Sequence, residues 1–132
     1  MFEYTKVLTS FSVDDVPKAQ KFYSETLGLE VSEQADVLLL HLSGGNDTLI
    51  YPKPDHIPAS YTLLNFMVAD IDTAVDDLAA QGVRFLRYDE FGADDKGVVR
   101  GTDREIAWFA DPAGNVHSVG QFKRPLPVQE DS

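Results

Sequence analysis

Apolar side chains in this chain fall into short runs, alternate with polar ones, or recur at helical spacing, and each pattern predicts an element. Residues 7–13 read as a strand. Asp14, Asp15, Val16 and Pro17 follow, where Asp15 suits a helix cap and Pro17 a first helical turn. Val16, Ala19, Phe22, Tyr23 and Leu27 then recur on one helical face, with Lys18, Gln20, Lys21 and Glu25 opposite, until Gly28 ends the helix. Strands are predicted over 29–32, 36–42 and 48–51, parted by Glu33, Gln34 and Ala35 and by a turn at Gly44, Gly45, Asn46 and Asp47. Pro52, Pro54 and Pro58 punctuate a connector that neither strand nor helix can cross.

The second half repeats the first. A strand over 61–68 leads through Asp70 into a helix with Ile71, Ala74, Val75 and Leu78 on its apolar face, closed by Gly82. Strands over 83–88, 105–110 and 116–121 follow, with a polar loop over 89–104 and a turn at Asp111, Pro112, Ala113, Gly114 and Asn115. Val13 and Val68, Asp15 and Asp70, Val16 and Ile71, and Ala19 and Ala74 all stand 55 residues apart. A strand-helix-three-strand unit used twice is an internal repeat, whose single copy cannot bury its apolar face alone.

Composition narrows the function. With 132 residues, 43% of them hydrophobic, the chain can bury a core as one domain, which excludes disorder. The absence of cysteine excludes disulfides, thiolate metal sites and cysteine nucleophiles, so a metal would need His41, His56, His117 and carboxylates. A net charge of −11 disfavours nucleic acid and anionic membranes, and favours a cationic ligand or partner as well as solubility. Apolar runs such as 37–40 are too short for a bilayer, and MFEYTK lacks a basic-then-apolar leader. A cytoplasmic protein without membrane contact is expected.

FSVDDVPKAQKFYSETLGLEV (11–31), its echo LNFMVADIDTAVDDLAAQGVRF (64–85) and the ending IAWFADPAGNVHSVGQ (106–121) resemble the vicinal oxygen chelate superfamily of glyoxalase I, extradiol dioxygenase and bleomycin-resistance proteins. The resemblance implies an α+β fold of two βαβββ modules with curled mixed sheets around a concave cleft. It also implies that the protein is a homodimer, as many members with one module pair are. Residues 1–132 are then a single domain, with module one over about 5–52, a connector over about 53–60, module two over about 61–122 and a C-terminal tail over 123–132. One such scaffold hosts isomerisation, ring cleavage, thiol transfer and drug sequestration, so the site must settle function.

The resemblance also locates the metal ligands of the metal-dependent members. Their first-strand ligand falls on Leu8, the symmetric one on Leu63, the last-strand carboxylate on Ser118, and the fourth within 48–51, where Thr48, Leu49, Ile50 and Tyr51 offer no carboxylate, His or Gln. Two leucines and a serine cannot hold a transition metal. No metal and no cofactor is expected. A relocated site at His41, His56 and His117 stays open, although each histidine also reads as a surface or hydrogen-bonded structural residue.

Alternation along the strands predicts what replaces the metal. If Leu8 faces the cleft, so do Ser10 and Ser12; Leu63 brings Asn65 and Met67; Ser118 brings Val116 and Gly120. Phe11, Val13, Leu64, Phe66, Val68 and His117 then turn away from the cleft. Leu8, Ser10, Ser12, Leu63, Asn65, Met67 and Ser118, with Trp108 as an aromatic wall, compose a ligand floor that is apolar with a few oriented polar groups. The competing reading is that these polar groups satisfy one another and bind nothing. The pattern places no His or Lys beside Ser10, Ser12 or Ser118, so no catalytic residue is assigned.

The sequence therefore reads as a metal-free relative of the bleomycin-resistance branch that binds a small organic molecule, cationic or aromatic. The alternative is a lyase, isomerase or dioxygenase with displaced metal ligands, or metal-free chemistry by carboxylates of the loop 89–104. A structural or regulatory dimer with a filled cleft is the third reading.

Overall fold

The computed structural model describes residues 1–124 and 126–128, which form two compact units, Met1–His56 and Ile57–Val128. Pro125 and residues 129–132, half of the expected tail, lie outside the described residues.

In the first unit, β1 (Thr9–Val13) runs into α1 (Val16–Lys21), and β2 (Glu30–Gln34), β3 (Val37–Leu42) and β4 (Asn46–Pro52) follow. The sheet order is β1-β4-β3-β2, with β1 parallel to β4 and the other pairs antiparallel. Asp15 caps α1 by accepting from the Lys18 N–H at 3.0 Å. The helix then widens into a π-turn over Phe22–Thr26, where the Leu27 N–H reaches the Phe22 carbonyl. Ser24 Oγ donates to the Gln20 carbonyl at 2.6 Å, the kind of back-bond that bends a helix, so the helix predicted to run unbroken to Leu27 divides at Phe22. Phe11, Val13, Ala19, Tyr23, Leu38, Leu40 and Ile50 form the core between helix and sheet.

Strand limits differ from expectation where turns are tighter than the composition suggested. Glu33 and Gln34 belong to β2, because Ala35 takes a φ of 54° and closes a two-residue turn. Asn46 and Asp47 belong to β4, because Ser43–Gly45 alone makes that turn.

The second unit repeats the plan. Here β5 (Thr62–Met67), α2 (Ile71–Ala80), β6 (Phe85–Leu86), β7 (Val99–Arg100), β8 (Arg104–Ala110) and β9 (Val116–Phe122) follow in turn. The sheet order is β5-β9-β8-β6, with β7 also paired to β8 and β5 parallel to β9. Asp70 caps α2 through the Thr73 N–H, as Asp15 does in α1. The strand predicted over 83–88 shrinks to Phe85–Leu86, because the Val83 N–H closes the helix end on the Leu78 carbonyl, leaving Gly82 at φ 89°. Asp111 and Asn115 form the expected turn: Asp111 Oδ1 accepts from the N–H groups of Ala113 and Asn115 at 2.9 and 2.8 Å. Gly114, at φ 87°, has no room for a side chain, since a Cβ would stand 3.1 Å from Pro58. Two open sheets with few helices and the βαβββ order in each half bear out the α+β expectation, with β7 as an addition.

Candidate functional site

Alternation works as the sequence predicted in the first unit. Phe11 and Val13 are buried under α1, while Ser10 and Ser12 point to the opposite face of the sheet. Leu8 lies one residue before β1 and is 45% exposed. Where no histidine was expected beside Ser12, the structure puts one: Ser12 Oγ and His56 Nδ1 are 2.7 Å apart. Alternation concerns strands only, and His56 reaches Ser12 from the connector, whose turn is closed by the His56 N–H on the Lys53 carbonyl.

In the second unit, Asn65 and Met67 are exposed and Leu63 is half-buried. Ser118 is buried and donates to Asn65 Oδ1 at 2.8 Å. Its neighbour across the β8–β9 pair is Trp108, whose indole N–H donates to Thr62 Oγ1 at 3.0 Å. These side chains share the face opposite α2, while Ala107, Phe109 and Val119 fill the other. His117 is fully buried against the rings of Phe66 and Phe109, and its Nδ1 accepts from the Leu64 N–H. Burial holds its imidazole down to a pKa of about 4, against a smaller upward pull from Asp111, so it is neutral near pH 7.

Beside Trp108 lies a cavity of about 440 Å³, lined by Phe91, Val99, Gly101, Arg104, Ile106 and Trp108. Arg104, Ile106 and Trp108 share it because they alternate along β8. Tyr88 meets the Trp108 ring edge-on at 5.3 Å and Phe91 tilts over it at 6.5 Å, making an aromatic wall. Arg104 has no carboxylate partner among the described residues.

Arg100 fixes the segment that completes this wall. Its guanidinium bonds Asp72 on α2, Asp94 in the loop and Glu105 on β8. Asp94 Oδ1 also accepts from the N–H groups of Lys96 and Val98, both at 2.9 Å. Burial raises the Asp94 carboxyl, but those two N–H groups and Arg100 outweigh it and hold the group below its ordinary value. The stretch expected to be a polar loop over 89–104 thus contains a short 3-10 turn at Asp89–Phe91 and the strand β7, which pairs with β8. Two of its carboxylates are held in ion pairs, Asp94 by Arg100 and Asp89 by Arg87 at 2.9 Å.

The donors at the superfamily's metal positions do not fit a transition metal. Leu8 and Leu63 have none, the Ser118 hydroxyl is engaged by Asn65, and Thr48 Oγ1 lies 2.7 Å from Thr9 Oγ1. Among the described residues no three His, Asp or Glu side chains converge as a metal-holding group.

The profile of the glyoxalase/bleomycin resistance protein/dioxygenase superfamily matches residues 7–119, and the chain belongs to that superfamily. A crystal structure of an antibiotic-binding protein from a Streptomyces species is 25% identical, with a TM-score of 0.66 over 92% of this chain and 99% of that one. The glyoxalase family protein from Enterococcus faecalis is 23% identical, with the same TM-score of 0.66, over 91% of this chain and 99% of that one. A fosfomycin resistance protein from Listeria monocytogenes shares the fold at a TM-score of 0.67 and 13% identity, over 91% of this chain and 94% of that one. No curated protein matches the sequence.

Phe91, Val99, Gly101, Arg104 and Ile106 were absent from the expected floor. Arg104 and Ile106 alternate with Trp108 along β8, so the same period of two, carried on from Trp108, would have found them. Phe91 and Val99 were not legible in this way, because they arrive on a segment that the Arg100 ion pairs brace.

Proposed function

We propose that the protein binds a small organic molecule without a metal, and that the ligand is aromatic with an anionic substituent. The observation that carries this is the aromatic wall of Trp108, Tyr88 and Phe91 beside an Arg104 that no described carboxylate neutralises. Aromatic faces supply contact area, while a guanidinium fork grips a carboxylate or sulfonate with two parallel hydrogen bonds. The overall negative charge pointed to a cationic ligand, but charges scattered over a surface are screened beyond about 10 Å, and Arg104 lines the cavity itself. The antibiotic-binding description of the Streptomyces relative supports sequestration of an organic molecule. Mutual satisfaction of polar groups accounts for Ser118 and Asn65 but leaves the cavity unexplained. The same reading takes the protein as a cytoplasmic homodimer.

The lone tryptophan, Trp108, is the reporter. Titration with anilinonaphthalene sulfonate is expected to quench its emission saturably, with Arg104→Ala weakening the affinity about tenfold. Unsaturable quenching, or an affinity indifferent to both Arg104→Ala and Phe91→Ala, would overturn the site. Ni²⁺, Zn²⁺, Mn²⁺ and Fe²⁺ are expected to leave the melting temperature unchanged; one transition metal bound tightly per chain would overturn the metal-free half.

A further inference from the structure

Three adjacent strands of the first unit bring Ser32, His41 and Asp47 into one row. His41 and Asp47 stand directly opposite each other on β3 and β4, and Ser32 stands diagonally from His41 on β2, opposite Leu39. All three lie on the sheet face turned away from the buried Leu38, Leu40 and Ile50. Ser32 Oγ is 2.6 Å from His41 Nε2, and the other ring nitrogen, His41 Nδ1, is 3.2 Å from Asp47 Oδ1. Hydroxyl on one ring nitrogen and carboxylate on the other is the arrangement by which an imidazole activates a serine. Lys6 Nζ, 3.3 Å from Asp47 Oδ2, and His41 together outweigh the upward effect of burial and hold the Asp47 carboxyl below its ordinary value. Ser32 is exposed and β2 is a sheet edge, so an acyl group can approach the hydroxyl.

We propose that Ser32, His41 and Asp47 form a nucleophilic site for activated carboxylic esters, built from none of the residues that line the cavity beside Trp108. Ser32 Oγ bonds to the ester carbonyl carbon as its proton passes to His41 Nε2. The carbon–oxygen bond to the leaving group then breaks, and the departing alcohol takes that proton. Water, giving a proton to His41, attacks the acyl-serine, and its carbon–oxygen bond to Ser32 breaks with return of the proton to Oγ. The sum is ester plus water to acid plus alcohol. Asp47 is a positioning residue that holds the imidazole with Nε2 toward Ser32. The substrates are taken to be esters with good leaving groups such as phenols, whose cleavage demands the least stabilisation of the oxyanion.

The test is covalent labelling of the native protein with an alkyl fluorophosphonate, followed by peptide mapping, with 4-nitrophenyl acetate turnover alongside. One adduct on Ser32 is expected, slowed at least tenfold by His41→Ala and lost in Ser32→Ala. Asp47→Asn is expected to slow labelling, with partial recovery in Asp47→Glu, a rescue that a purely structural contact would not show. Melting temperatures establish that each variant is folded, which the exposure of Ser32 favours. No adduct, an adduct on Ser12 or elsewhere, or a Ser32 adduct indifferent to His41→Ala in folded protein would overturn the proposal. None of these outcomes bears on anilinonaphthalene sulfonate binding at Trp108.

Discussion

His117 shows how one buried residue couples stability to pH. Its imidazole is neutral inside an aromatic cage, with a folded pKa near 4 against about 6.5 in the unfolded chain. Between those values the unfolded state binds the proton and the folded state does not, so stability falls as pH drops from 6.5 toward 4 and the loss from this group is complete below that. The contribution is of the order of 3 kcal/mol at full protonation. Urea unfolding from pH 7 to 4.5 should show that slope, and His117→Leu should flatten it. At this scale the sequence was informative about direction but not about partners. Alternation put His117 on the helix side of the sheet, whereas its bond from the Leu64 N–H depends on the parallel register of β5 and β9.

At the scale of elements, the segment over 89–104 is braced by Arg100. Removing that guanidinium leaves Asp72, Asp94 and Glu105 close together without their shared cation. Arg100→Ala is therefore expected to speed amide exchange at Lys96 and Val98 at least tenfold and to weaken ligand binding at Phe91 and Trp108 together, read by hydrogen exchange and by Trp108 emission. The pH sign agrees. The Arg100 guanidinium, against a smaller effect of burial, holds Asp72 below its ordinary value, and Asp94 is lowered too, so the brace is present near neutrality and is lost as pH falls below about 4. Both helices were legible from cap and apolar stripe, because those signals lie within a few residues of each other. The braced segment was not, because its partners are separated in sequence by up to 28 residues.

For the whole molecule, 22 acidic side chains against 11 basic ones leave a surplus that repels itself in the folded state. Added salt screens this repulsion and also weakens the exposed ion pairs, which individually contribute little. Net stabilisation is expected: the melting temperature should rise from 10 mM to 500 mM sodium chloride at pH 7, where the Debye length falls from about 30 Å to a few ångströms. A fall would mean that the Arg100 and Lys96 pairs outweigh the surplus charge.

The sequence by itself determined the doubled βαβββ plan, the capped helices, the superfamily and the buried face of the first strand. Each of these is written in local spacing: a period of two, a helical stripe, an aspartate before a helix, a glycine after it. Tertiary structure alone decided which chemistry-bearing side chains meet. Ser12 meets His56 across 44 residues, Ser118 meets Asn65 across 53, and Ser32, His41 and Asp47 line up only once three strands have chosen their register. Strand register and loop docking are set by contacts distant in sequence, and no pattern along the chain carries that information.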